Sequence, residues 1–545
     1  MNPQLAGLFD FFSVVFRAAT LVFQSLLLGG VLFALWVARG STNTPEDNLE
    51  IVRRSSLRLL RASALGLAVA QVLYLYVNST VLMGTAEIGF RDVVGANFFL
   101  AASCMLIAAV MTVAVVVMPE HVRAAFLPLL ALAVLSASLV TNHAASRLDN
   151  RPLLIALTAT HELATGFWIG GLPFLILGLF KARDGQTRLY LAERFSRIAV
   201  VSVVALIFSG VSLSVAFIGS WHAVLGTSYG VMVTAKAFLL LVLLLLGGIN
   251  FLLIRTTRVD FAMPRLRRLI DAEVGIGITV ILTAASLTSQ PPAVDLVNNI
   301  ATPQQIFARL KPKWPGFSYP QPASVHSSAV FASTTPVATD TSAARNVDGV
   351  LLSAKDLMDI ERSDANHHWM GLIVLAMGIL ALLSRTGKFP WAEYWPVLLV
   401  SIAIWIFLRA DPESWPYGPD GFWATWMRAE VFQHRLAGIV CVLFAAFELR
   451  VRKLNLQSSR QSFIFPLMCA VGGVVLLAHS HSVTNVKEQL LVELNHVPMG
   501  VLAVLAGWSR WLELRLPSEN RRVPSWIWPI CFVLIGAGLI NYREM

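Results

Sequence analysis

Long apolar stretches recur along the whole chain, each about as long as the hydrocarbon core of a bilayer is thick. A helix rises about 1.5 Å per residue, so roughly 20 mainly apolar residues cross that core. Leu127–Val140, Ile198–Ile218, Val231–Leu253, Ala437–Phe447 with its flanks, and Pro466–Ala478 meet this rule or form the heart of a segment that does. Inside lipid every backbone N–H and C=O must bond within its own segment, which leaves helices for runs of this length. The pattern predicts an all-α, polytopic transmembrane helical bundle of about 14 spans. They fall at about 11–37, 61–79, 97–118, 124–142, 152–180, 196–218, 230–254 and 270–290, then at about 369–384, 391–408, 428–449, 463–480, 496–512 and 524–541. Only 14% of the 545 residues are charged, against about 25% in soluble domains, so the natural partner of this surface is the lipid bilayer. Phe11–Trp36 is too long for a signal sequence and has no basic segment before it, so it reads as a retained first span.

The charges sort by loop. Arg53, Arg54, Arg58 and Arg61 form one basic cluster; Lys181, Arg183, Arg188, Arg194 and Arg197 another; Arg255, Arg258, Arg265, Arg267 and Arg268 a third. Arg450, Arg452, Lys453 and Arg460, then Arg510, Arg515, Arg521 and Arg522, continue the series. The positive-inside rule puts these loops in the cytoplasm and both termini outside. A Pro/Ser/Thr/Ala-rich interval, 291–366, then lies outside as a linker with a short helix near Leu351–Ile360. It divides an eight-span domain, 1–290, from a six-span domain, 367–545. The net charge of +10 is therefore a topology signal. Basic patches interleaved with aromatics are missing, which argues against nucleic acid, and the cytoplasmic loops are too short to hold a nucleotide-binding domain. The four cysteines stand singly in apolar spans and read as buried structural thiols.

Of 11 histidines, nine map onto the spans and fall toward the outward side. His143 follows span four. His161 lies about nine residues into span five, roughly 13 Å along it. His222 is in an outward loop, His367 and His368 open span nine, and His434 starts span eleven. His479 and His481 close span twelve, and His496 opens span thirteen. Ionisable groups within a bilayer are costly, and imidazole is a common ligand for copper, zinc and haem iron. His143, His161, His367, His368, His434, His479, His481 and His496 are therefore candidate metal ligands. Glu430 is four residues before His434; Glu493 and Met499 flank His496 by three on either side, so each shares a helix face with its histidine. These three read as accessory groups that orient an imidazole or ligate beside it. Glu162 is adjacent to His161 and points about 100° away from it, so it shares its ligand less readily, and it reads as a further accessory group. Trp168, seven residues on, returns to nearly the same face as a wall.

Several short motifs occur together in order: Asn142-His143-Ala144-Ala145, His161-Glu162-Leu163-Ala164, Phe167-Trp168-Ile169-Gly170-Gly171-Leu172, Arg194-Phe195-Ser196, Ser209-Gly210, and Thr227-Ser228-Tyr229-Gly230 with Lys236 and Asn250 beyond. With Ser289-Gln290-Pro291-Pro292 at the end, this block, about 130–295, resembles the CopD copper-resistance family. The resemblance implies a bacterial inner-membrane protein that handles copper, often beside a periplasmic copper-binding protein, with His143 and His161 as metal positions. Gly166, Gly170 and Gly171 read as close helix contacts, and Lys236 as a snorkelling residue.

The expected function is copper transport or delivery from histidine sites at the periplasmic face, not enzyme catalysis. An alternative is a haem b-binding electron-transfer protein or reductase, with His434 and His496, or His368 and His479, as axial pairs. A third reading is a structural or assembly subunit with interfacial histidines.

Overall fold

The computed structural model describes residues 9–40, 46–256, 259–296, 299–318, 353–411, 414–454, 456, 459–478 and 486–544. His479 and His481 lie outside them, as do residues 297–298 and 319–352 of the 291–366 linker. Among the described residues the structure is helical without a strand, and 14 helices are long and apolar enough to cross a membrane. The all-α bundle expected from the apolar periodicity is what forms.

The chain divides into two compact units. The first holds α1 (Phe12–Val37), α2 (Asp47–Thr85), α3 (Asn97–Val115), α4 (Glu120–Val140), α5 (Arg151–Lys181), α6 (Gly185–Ile218), α7 (Ser228–Arg255) from Lys236 onward, and α8 (Met263–Asp295). Within it α1 packs against α2, α5 and α8. Several helices outrun their apolar stretches. α2 begins about 14 residues before the expected start at 61, because the Arg53–Arg61 segment is itself helix, stitched by Arg53 and Arg54 to Glu50. Asn150 takes a left-handed conformation at φ +53° and Pro152 follows it, so α5 starts sharply.

The geometry that matters most is the approach of α1 to α5. α5 loosens into a π-turn at Gly166–Gly170 before resuming as helix Leu172–Lys181. A Cβ on Gly170 would sit 1.9 Å from the Ser25 carbonyl oxygen, and one on Gly29 would sit 2.4 Å from the Gly166 carbonyl oxygen. Only glycine permits this distance between the backbones, as expected for Gly166, Gly170 and Gly171.

The second unit holds α9 (Leu357–Arg385), α10 (Pro390–Arg409), α11 (Val431–Lys453), α12 (Arg460–Leu477), α13 (Gln489–Arg515 up to Leu514) and α14 (Arg522–Ile540). Its core gathers Trp395, Phe465, Trp528 and Phe532. Beneath them Arg510 is buried between Glu448, at 3.2 Å, and Glu513, at 2.7 Å, while Arg452 bonds Glu448 and Arg385 bonds Glu513. Buried charges survive here because each is paired.

Two expectations are corrected. The short helix near Leu351–Ile360 is not separate: helix Ala354–Arg385 runs unbroken from the linker into α9. Cys104 is exposed on its helix rather than buried, whereas Cys469 and Cys531 are buried. A second linker helix, Pro303–Leu310, begins with a reciprocal cap between Thr302 and Gln305.

Candidate metal-handling site

Inside the first unit, polar side chains from six spans meet within otherwise apolar helices. His161 lies ten residues from the start of α5, Ser209 nine from the end of α6, and Lys236 eight from the start of α7. At 1.5 Å per residue these are depths of about 15, 14 and 12 Å. Antiparallel helices thus bring the three to one level.

His161 Nδ1 lies 3.3 Å from Ser209 Oγ. The Ser209 hydroxyl donates to the Ala205 carbonyl at 2.7 Å, so it accepts from His161. That fixes the proton on Nδ1 and leaves the lone pair on Nε2, the arrangement of a metal-ligating histidine whose other nitrogen is held by a neighbour. Gly210 completes the fit, since a Cβ there would meet His161 Cε1 at 3.4 Å. The Ser209-Gly210 motif thus supplies one bond and one gap.

Glu162 points elsewhere, as the 100° helix step requires. It accepts from Gln24 Nε2 on α1 at 2.8 Å, from Ser138 Oγ on α4 at 3.2 Å and from Asn142 Nδ2 at 2.6 Å. Asn142 precedes His143, so Glu162 anchors the turn that carries His143. The His143 ring edge faces Phe217, with centroids 6.4 Å apart, and its Nε2 is enclosed without a hydrogen-bond partner. Burial first, then Arg147, lowers the His143 pKa from the ordinary 6.5. The ring is therefore neutral, as a ligand must be.

Seven residues beyond His161, about 10 Å deeper, Trp168 is buried and its indole N–H donates to Glu273 Oε1 at 2.9 Å. Asn250 Nδ2 donates to Glu273 Oε2 at 2.7 Å. Trp168 therefore holds a carboxyl on α8.

In the second unit, the His367 ring stacks on Tyr542 with centroids 3.7 Å apart, and the His496 ring stands 5.8 Å from His367. Nδ1 of each donates to the carbonyl four residues earlier, Ser363 at 2.8 Å and Val492 at 3.0 Å, which leaves Nε2 as the lone-pair nitrogen. His368 differs. Its Nδ1 meets the Gly316 carbonyl at 2.7 Å and its Nε2 the Tyr542 carbonyl at 2.9 Å. Both ring nitrogens are thus occupied by carbonyl oxygens, so His368 as placed presents neither of them to copper or haem iron. His434 Nδ1 bonds Asp411, at 3.1 Å; the expected partner Glu430 lies among residues whose side chains are outside the description. Glu493 accepts from Gln489, and Met499 packs beside Gly538.

Among the described residues no three His, Cys, Asp or Glu side chains gather as a metal-binding group. Within each unit the described histidines form one- and two-ring positions. Gln24, Ser138, Glu273, Asp411 and Arg309 were missed. Gln24 and Glu273 were findable as lone polar residues inside apolar runs. Arg309 is buried in the linker helix, with its Nε on the Leu491 carbonyl and both Nη groups without a partner.

Residues 189–287 match the family model of copper resistance protein D. A stretch of 160 residues is 33% identical to the copper transport protein CutJ of Bacillus subtilis (strain 168). That stretch covers 29% of this chain and 29% of the relative, so the likeness is to less than a third of it. No solved structure matches. The likeness to the copper-resistance family is thus borne out over α6 to α8, where the matched residues include Ser209, Gly210, Lys236, Asn250 and Glu273. With its apolar helices, this makes the chain a multi-pass membrane protein.

Proposed function

We propose that this chain carries copper across, or delivers it at, the bacterial inner membrane, taking the ion from the periplasmic side. The basic ends of the spans lie in the cytoplasm on this reading, so His143 is at the outer mouth and His161 one step within. His143 Nε2 and His161 Nε2 are the copper ligands, and Ser209 and Glu162 hold the two rings in place. His367 and His496 form a second copper position in the six-span domain. A periplasmic copper-binding protein delivers or receives the ion. The eight spans to residue 290 do the carrying, and the 291–366 segment lies outside.

The observation that supports this most is the His161–Ser209 contact, because its tautomer leaves a lone pair in mid-membrane and its serine lies within the stretch that matches the copper-resistance family. The test is copper movement into liposomes holding the purified protein, read by metal analysis of the lumen. Copper entry that falls in His161→Ala supports the reading. A protein that neither binds nor moves copper overturns it.

A further inference from the structure

Glu273 is 3% exposed, and both its oxygens are met by neutral N–H donors from two other spans, Trp168 of α5 and Asn250 of α7. Among the described residues no lysine, arginine or histidine bonds to it, and a Cβ at Gly247 on α7 would meet Oε1 at 3.3 Å. The carboxyl is enclosed, at membrane depth, without a counter-ion among the described residues. Intramembrane carboxyls of this kind mark ion and proton pathways.

The two donors are not equivalent. The Trp168 indole can only donate. The Asn250 side chain can do either: it donates through Nδ2 now, while its Oδ1 is buried without a partner. Turning the amide over presents Oδ1 to the carboxyl, where it accepts an O–H. The pair is therefore complete in both protonation states, with Nδ2–H to a carboxylate oxygen or Oδ1 from a carboxylic acid. A purely structural carboxylate has no use for the second state, and either orientation of the amide leaves one of its polar atoms without a partner, so neither state is favoured on that count.

We propose that Glu273 is a proton-binding site that couples copper movement to a proton gradient, with Asn250 as the positioning residue that serves both forms. A proton from water on one side forms an O–H bond at a Glu273 oxygen. That bond breaks to release the proton to water on the other side, and no electrons move.

The inference rests on the transport reading, and two measurements separate them. Infrared difference spectra of the reconstituted full chain, between acidic and alkaline buffer, should contain a protonated-carboxyl C=O band that Glu273→Gln removes. Wild type without that band, or a band unchanged in the variant, overturns the proton site. Copper accumulation is then measured with an imposed pH gradient and the membrane potential clamped at zero. At one proton per copper, one pH unit should shift the steady-state copper ratio about tenfold, and Glu273→Gln should abolish the shift while still binding copper. A variant with the wild-type response overturns the coupling. Wild type that moves no copper at any pH overturns the transport reading and the coupling with it, while the infrared band still decides the proton site.

Discussion

The side-chain amide of Gln24 on α1 donates to Oε2 of Glu162 on α5 at 2.8 Å, and farther along α5 a Cβ on Gly170 would sit 1.9 Å from the carbonyl oxygen of Ser25, the next residue of α1. Gly170→Ala forces a methyl group into the Ser25 carbonyl. We expect a loss of about 1–3 kcal/mol, the range for overpacking, seen as a lower melting temperature in detergent. Gly248→Ala is the control: a Cβ there meets nothing within 4 Å, and helix propensity favours it by up to about 1 kcal/mol.

Glu162→Ala strands three donors at once, those of Gln24, Ser138 and Asn142. The loss should be at least about 2 kcal/mol, since one buried unsatisfied group alone costs about 1–3. Glu162→Gln should melt close to wild type, because the buried Gln24 Oε1 has no partner and can accept from the new amide once Gln24 turns over. Thermal melts of both variants check this.

How much of this was readable beforehand differs by level. Apolar run length gives the spans, because lipid enforces it; it does not give helix ends, because Arg53 and Arg54 continue α2 past the apolar run. The level of His161 came from counting residues along one helix. Its partners did not, because Ser209 and Lys236 are brought to it by packing between spans. Glu162 was correctly turned away from His161 by helix geometry, but its destination, the turn before His143, needed tertiary contacts. His368 looked like a ligand by type and place, yet its two nitrogens go to carbonyls of residues 52 and 174 positions away. The Pro303–Leu310 helix was legible in Thr302 and Gln305, a capping pattern passed over in a Pro-rich stretch.

His143 should make stability pH-dependent. Its folded pKa is lowered, by burial and then by Arg147, so the unfolded chain takes up its proton at higher pH than the folded one. Stability is then full above the ordinary histidine value of 6.5 and falls as pH drops through it toward the lowered folded value. Melting temperature measured across that window should drop less in His143→Gln than in wild type.

The histidines of the second unit should separate by their hydrogen bonds. His496→Ala or His367→Ala should reduce copper per chain, because each removes an Nε2 lone pair. His368→Gln should leave copper content unchanged and lower the melting temperature, because it breaks two buried carbonyl contacts. Metal analysis beside thermal melts distinguishes the three.

Copper bound per chain in the purified protein, compared with His161→Ala, tests the account most directly. The lone pair left on Nε2 by the Ser209 contact predicts copper in the wild type and a clear loss of it in the variant, with the melting profile otherwise kept. Equal copper content in the two, or none in either, would contradict it.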